Sequence, residues 1–350
     1  MRTYKLLGSG LTFAALLLAA PARAQALGMT DPIPAATARA VVQKTIALVE
    51  TDGLYPRSQD EYAAAKARLL SALDGAGEQI DRPALFRHVT AMLQTLDADG
   101  HTMIFPPVAE RQLRQDFSVA RTAERMSSFA LVQTAHGQVL HWTPPQSYGD
   151  LKTEGPLFVQ RFAADYAALP DAARSCALVV DLGVQYGGNA WPILMTMHPL
   201  LSQANRAIFV KRDGERVRLF EPQQLAGMQA YFGGDARNPL VRFSGQPLAV
   251  VVDGKTSSAG EMLLVAMLGE GERVRTFGHT SQGSTAANRS HALPDGSMLL
   301  LTTSRYALGD AAPIRGGIPA QVPATTGATH ADTVRQAADW AARAATLCRQ

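Results

Sequence analysis

Two apolar runs constrain this chain more than any other feature. Cys176–Leu182 and Leu248–Val252 lack the apolar–polar alternation of a half-exposed strand. Such runs suit strands buried on both faces, which parallel sheets place between layers of helices. Each run ends in a turn and passes into a helical pattern. Gly187-Gly188 precedes a helix over roughly 190–201, and Thr256-Ser257-Ser258 precedes one over roughly 258–269. Strand-turn-helix units in series indicate an α/β domain. Hairpin signals lie at Ala135-His136-Gly137, Asp213-Gly214 and Pro294-Asp295-Gly296. A further strand is expected over 273–277, and helices over roughly 155–169 and 331–347.

Ahead of residue 100 the pattern is helical. Val41, Val42, Ile46, Leu48 and Val49 recur at helical spacing. Ser58-Gln59-Asp60-Glu61 is a capping box, and Asp81 before Pro83 opens a third helix through Leu85, Val89, Met92, Leu93 and Leu96. Three helices with short links make a small bundle. The expected organisation is a signal peptide over 1–24, a helical bundle over 25–100, and an α/β core with a C-terminal helix over 101–350.

The first segment has the form of an export signal. Arg2 and Lys5 precede an apolar run from Leu6 to Ala20, and Pro21-Ala22-Arg23-Ala24 supplies a small-x-small cleavage site. A membrane span needs about 20 apolar residues, and this run is shorter and interrupted. Cleavage after Ala24 and a periplasmic or secreted product are expected, with no stable membrane insertion afterwards. Removal takes three of 33 basic residues and none of the 30 acids, so the net charge of +3 belongs to the signal. No basic block interleaved with aromatics appears, so a nucleic-acid partner is not expected. Cys176 and Cys348 are the two cysteines. In an oxidising compartment they can close a disulfide that ties the C-terminal tail to the start of a buried strand, which their spacing alone leaves open. Neither has zinc-site spacing, and no metal or cofactor is expected.

Three places can carry chemistry. The run Val250-Val251-Val252-Asp253-Gly254-Lys255-Thr256-Ser257-Ser258-Ala259-Gly260-Glu261 takes a strand through a polar turn into a helix. A serine there sits at a helix N-terminus, whose unpaired N–H groups and dipole favour a developing oxyanion. Ser258 with Glu261 three residues on is also a capping box, the commoner use of such a pattern. A serine nucleophile needs a base. Among eight histidines His101 stands out in a tight Asp-Gly-His-Thr turn after a helix, whereas His88 and His330 fit surface or packing roles. Third, Asp181-Leu182-Gly183-Val184-Gln185-Tyr186-Gly187-Gly188 leads a buried strand into a glycine turn, where backbone N–H groups can approach a bound group. An ordinary strand-to-helix turn would read the same way.

Occurring together, and along the chain in the order His101, Asp181 to Gly188, Ser258, these features resemble the C-terminal processing (tail-specific) proteases, most closely their tricorn-like, lysine-independent branch. Leu96-Asp97-Ala98-Asp99-Gly100-His101-Thr102 is similar to the family's histidine segment. Asp181 to Gly188 matches the Asp-Leu and Gly-Gly ends of its strand motif, and Ser258-Ala259-Gly260-Glu261 matches its Ser-Ala-x-Glu motif. Gly278-His279-Thr280-Ser281-Gln282-Gly283 is a loose fourth match. The resemblance spans about residues 35–325. It implies a ClpP/crotonase-like core behind a helical bundle. Ser258 would be the nucleophile and His101 the general base. The oxyanion would bind the N–H of Ala259 and one from Gly187 or Gly188. The substrate class would be peptides or unfolded proteins.

The departures are specific. Ser284 stands where the lysine-dependent branch has its lysine, and Ile314 where the tricorn-like branch has an acid, with Asp310 or Asp99 as substitutes. Gly183 and Gln185 replace an arginine and an asparagine of the strand motif, and His279 a glutamate of the fourth. About 50 residues separate His101 from the core, too few for an inserted domain of ordinary size, so no PDZ domain is expected. Beside a peptidase, the sequence leaves open a catalytically silent peptide- or ligand-binding relative and an esterase-like hydrolase.

Overall fold

The computed structural model describes residues 32–75, 77–96, 101–107, 128–147, 151–221, 223, 227, 230 and 238–349. The expected export signal and Asp97–Gly100 of the histidine turn lie outside these residues. Helices α1 (Ala35–Thr51), α2 (Gln59–Asp74) and α3 (Arg82–Leu93) form the N-terminal bundle. The Ser58 and Asp81 side chains cap their helices, Ser58 with one half of the expected box. Ser58 Oγ accepts the Glu61 N–H at 3.3 Å, and Asp81 Oδ2 accepts the Ala84 N–H at 2.9 Å. Strands β1 (Ile33–Pro34) and β2 (Gln79–Ile80) pair antiparallel beside the helices. The bundle does not stand apart: its core of Val41, Leu69, Val89 and Met92 continues into Leu293, Leu299 and Leu301.

From residue 101 onward the chain builds two sheets. In chain order the elements are β3 (Met103–Phe105), β4 (Ser128–Thr134), β5 (Gly137–Thr143), α4 (Leu151–Ala168), β6 (Ala177–Asp181) and α5 (Trp191–Met197). They continue with β7 (Ala207–Lys211), β8 (Arg216–Arg218), β9 (Leu248–Val252), α6 (Ala259–Leu268) and β10 (Val274–Gly278). The last are β11 (Ala286–Ala292), β12 (Met298–Leu308), β13 (Val322–Pro323) and α7 (His330–Ala344). One sheet has the order β13-β10-β9-β6-β5-β4, parallel from β13 to β5 with β4 antiparallel at the edge. The other has the order β11-β12-β7-β8, with β3 also on β12, and is antiparallel.

The two apolar runs are the neighbouring central strands β6 and β9, and every residue of both is buried. Leu178, Val180, Leu248 and Val250 face the core that holds Phe162 of α4, Ile193 of α5 and Leu263 of α6. Ala177, Val179, Ala249 and Val251 face Val334, Ala337, Ala338 and Ala341 of α7. With helices on both faces, neither face can be polar, which is why the runs do not alternate. Each fully buried valine or leucine stabilises the fold by about 1.5–3 kcal/mol. The mostly alanine face of α7 lets that helix sit close to the sheet with little side-chain entropy to lose.

Beyond α7 the chain is tied back. Cys176 and Cys348 are bonded, with the sulfurs 1.98 Å and the Cα atoms 4.9 Å apart. The bridge links positions 172 residues apart, and long closed loops restrict the unfolded chain most. Reduction, or Cys348→Ser, is expected to lower stability by about 2–4 kcal/mol in urea unfolding. Coincident midpoints for oxidised and reduced protein would show that the bridge contributes nothing.

Candidate active site

Strands β6 and β9 pair in parallel with Asp181 opposite Val251, so the turns after them leave the same end of the sheet. In parallel sheets that end is where ligand sites gather. Ser258 lies in the turn after β9 at φ 52° and ψ −110°, a conformation that costs a side-chain-bearing residue about 1–3 kcal/mol. Neighbouring bonds hold it there. Its N–H donates to Glu261 Oε2 at 3.1 Å, the Met262 N–H donates to its carbonyl at 2.9 Å, and the Ser257 N–H donates to the Gln185 carbonyl at 2.8 Å. The Ser258 Oγ lies 3.0 Å from His101 Nε2. Ser257, the adjacent hydroxyl, donates instead to Gln282 Oε1 at 3.0 Å. The capping and nucleophile readings therefore both have a physical counterpart: Glu261 caps the backbone of Ser258, and the hydroxyl is turned to the histidine.

His101 reaches this point from the second sheet. It precedes β3, which pairs with β12 so that Met103 lies opposite Leu300. The Thr302 N–H donates to Thr102 Oγ1 at 3.0 Å, and Asn288 Nδ2 donates to the His101 carbonyl at 3.4 Å. These bonds hold the chain on the C-terminal side of the imidazole.

The glycine turn after β6 closes the other side. Gly187 has φ 133° and Gly188 φ 104°, values that favour glycine. A Cβ at Gly187 would lie 3.3 Å from the Ser258 Cβ, so the turn packs directly on the serine. One at Gly260 would run into the Gln185 carbonyl. Gln185 is buried and its Nε2 donates to the Pro144 carbonyl, while the Asn189 N–H donates to Ser147 O at 2.5 Å. Ala259 opens α6 beside the serine, where first-turn N–H groups have no helical partner.

Behind the serine sits Glu261, fully buried. Its Oε1 accepts the Ser281 hydroxyl at 2.6 Å and the Gly283 N–H at 2.7 Å. Burial pushes its carboxyl above the usual range, against these bonds and the one from Ser258. Burial, and then the nearby Glu261, push the Tyr306 phenol up as well. Ser281 also accepts the Ile318 N–H at 2.8 Å. It is thus a hub of the site that the sequence reading did not single out.

The departures have definite places. The Ser284 hydroxyl donates to Gln282 Oε1 at 2.6 Å. Ile314 packs on the main core and its N–H donates to the Tyr306 carbonyl at 2.8 Å. His279 is exposed. Asp310 is exposed in the turn beyond β12 where Arg216 donates to the Gly309 and Ala311 carbonyls. Thr302, the neighbour of Thr102, lies six residues before the end of that strand, about 20 Å at strand rise. The structure therefore does not bring Asp310 to His101, and Asp99 falls outside the described residues.

A second cluster lies under the glycine turn. Asp181 Oδ2 accepts from His141 Nε2 at 2.9 Å and from His330 Nε2 at 2.7 Å, and its Oδ1 accepts the Gly183 N–H at 2.9 Å. A carboxylate only accepts, so both rings carry their proton on Nε2. Burial pushes the Asp181 carboxyl up, but the bonds from His141, His330 and Gly183 together hold it far below the usual range. The bond to Asp181 raises His330 above 6.5 against desolvation, with Asp253 raising it further and Lys255 opposing. His330 is therefore no mere surface residue. Among the described residues no group of three or more His, Cys, Asp or Glu is arranged to hold a metal ion.

Residues 158–323 match Peptidase family S41. The chain is similar to that family over this segment, just under half of its length. Its fold is that of the photosystem II D1 C-terminal processing protease, with a TM-score of 0.56 at 13% identity over 87% of this chain and 97% of that one. A lipoprotein from Streptococcus agalactiae superposes with a TM-score of 0.64 at 16% identity, over 89% of this chain and 97% of the other. A nisin-resistance protein from Lactococcus lactis subsp. lactis is 29% identical over 149 residues, 41% of this chain and 45% of that relative. The chain thus spans less than half the length of that curated relative.

In this chain the aspartate–histidine cluster has a testable pH signature. The folded His330 lies above its ordinary 6.5, so its stabilisation is complete below that value and is lost as pH rises through the raised one. The thermal midpoint of the wild type should exceed that of His330→Gln by more at about pH 6 than at about pH 8.5. A gap that is the same at both would contradict it.

Proposed function

We propose that this protein is an exported serine peptidase that hydrolyses peptides or unfolded protein tails, with Ser258 as nucleophile, His101 as general base and no lysine. The 3.0 Å contact between Ser258 Oγ and His101 Nε2 carries this reading. It joins residues 157 apart in sequence, and a capping serine would need no such partner. The match of residues 158–323 to Peptidase family S41 supports a peptidase. The export pattern of residues 1–24 supports passage across a membrane, and no helix among the described residues is long and apolar enough to span one.

The chemistry follows from the geometry. With the His101 ring proton on Nδ1, Nε2 accepts the Ser258 proton as Oγ attacks the scissile carbonyl. The carbonyl carbon becomes tetrahedral and its oxygen takes the negative charge. The Ser258 N–H is held by Glu261, so the donors for that oxygen are the Ala259 N–H, at the positive end of α6, and one N–H from Gly187 or Gly188. His101 then returns the proton to the leaving amine, and water, deprotonated by the same ring, hydrolyses the acyl-serine. The strained turn holds Oγ in the attacking position in the resting protein, so less ordering is left for the reaction step.

Peptide and ester substrates separate an amidase from an esterase, and nisin belongs among the compounds tried because a relative is named for resistance to it. Ser258→Ala and His101→Ala should each lower kcat by about 10⁴-fold or more, since nucleophile and base act as a unit. Ser257→Ala should stay within about 3-fold of wild type, because its hydroxyl is directed to Gln282. A mild His101→Ala effect, or a severe Ser257→Ala effect, would overturn the assignment.

A further inference from the structure

We propose that His330, carried by the C-terminal helix, is a positioning residue for this reaction: through Asp181 it holds the 182–188 turn against Ser258. The inference rests on the reading of Ser258 as nucleophile.

The argument begins at Gly183. Its φ is not in the positive region, so the backbone would accept a side chain there. Space does not: a Cβ would come within 2.7 Å of His330 Cε1 and 3.0 Å of Asp181 Oδ1. The imidazole of His330 fills the volume a side chain at 183 would use, and it presents a donor to the adjacent carboxylate. Asp181 divides its oxygens. Oδ2 is held by His330 and His141, while Oδ1 holds the N–H of Gly183, the second residue of the turn. A buried carboxylate left with fewer donors is costly, so loss of His330 would press Asp181 to move or take up water. Gly183 would move with it.

From there the turn is bonded to the two residues before the nucleophile. The Thr256 hydroxyl donates to the Leu182 carbonyl at 2.8 Å, the Gln185 N–H donates to the same carbonyl at 3.0 Å, and Ser257 N–H donates to the Gln185 carbonyl. Gly187 then lies against Ser258. The anchor end is fixed too. Helix α7 runs antiparallel along β6, with His330 at the Asp181 end and the Cys348–Cys176 bridge at the other. His330 thus comes from a helix that is bridged to β6 beyond its far end and packed on the sheet along its length, which lets it fix the turn rather than follow it.

The test compares His330→Ala, His330→Gln and the double variant His330→Ala with Gly183→Arg. Each is assayed by fluorophosphonate labelling rate, by kcat and KM on a peptide substrate, and by hydrogen exchange of residues 182–188. Glutamine keeps a donor near the Nε2 position, and an arginine at 183 brings a guanidinium into the vacated space. The alanine variant should label about 10- to 100-fold more slowly, with the loss in kcat rather than KM, and residues 182–188 should exchange faster while α7 stays protected. His330→Gln should lie within about 3-fold of wild type, and Gly183→Arg should recover most of the alanine loss. Wild-type exchange in His330→Ala would overturn the proposal, as would loss of α7 protection together with no rescue by Gly183→Arg. A wild type that neither labels nor hydrolyses peptide would defeat the reading of Ser258 instead, and the exchange of 182–188 would still decide whether His330 holds the turn.

Discussion

Parallel pairing of β6 with β9 is the constraint on which the site depends. In register, Asp181 lies opposite Val251, and the Leu182 N–H continues the ladder to the Val251 carbonyl at 2.9 Å. Two turns then leave one sheet end side by side. One carries glycines with positive φ and the other a serine with positive φ. Had the strands paired antiparallel, the turns would sit at opposite ends and neither could serve the other. The third component, His101, comes from the separate antiparallel sheet. Its place depends on β12 being long enough to pair with β7 along one half and with β3 along the other.

Strain at Ser258 is tolerated because the surroundings over-determine it. Glu261 holds its N–H, Gln185 holds the preceding N–H, and Gly260 leaves room for the Gln185 backbone to approach. A buried carboxylate with three backbone or hydroxyl donors ties α6 to the 281–283 loop. A second, Asp181, ties the glycine turn to β5 and α7. Both acids are buried where an unpaired charge would be expensive. Each therefore demands its full set of donors and so fixes the position of the segments that supply them.

Much of this was legible in the sequence for physical reasons. Leu248–Val252 and Ala177–Val180 read as buried strands because helices cover both faces. The caps at Ser58 and Asp81 read correctly because capping is local. The hairpin at 135–136 read correctly because its two-residue turn sets the register. Strands β1, β2, β3 and β13, of two or three residues each, carry no period to detect, so the strand that places His101 was invisible. His330 fits a surface or packing role in the sequence, because its partner is 149 residues away. The available signal was Asp181 itself: a carboxylate inside an apolar strand must find donors, and a search for them leads to the histidines. Ser281 offered no such signal, since its role depends on a loop folding back onto Glu261. Asp310 failed as a substitute acid because the length of β12 separates it from His101.

The most direct test of the account is a crystal structure of the protein inactivated by a peptidyl boronate or fluorophosphonate. The account predicts a covalent bond at Ser258 Oγ. The adduct oxygen should lie about 3 Å from the Ala259 N–H and from the N–H of Gly187 or Gly188, with the His101 ring still beside Oγ. An adduct on Ser257, or one on Ser258 whose oxygen points away from those N–H groups, would contradict it.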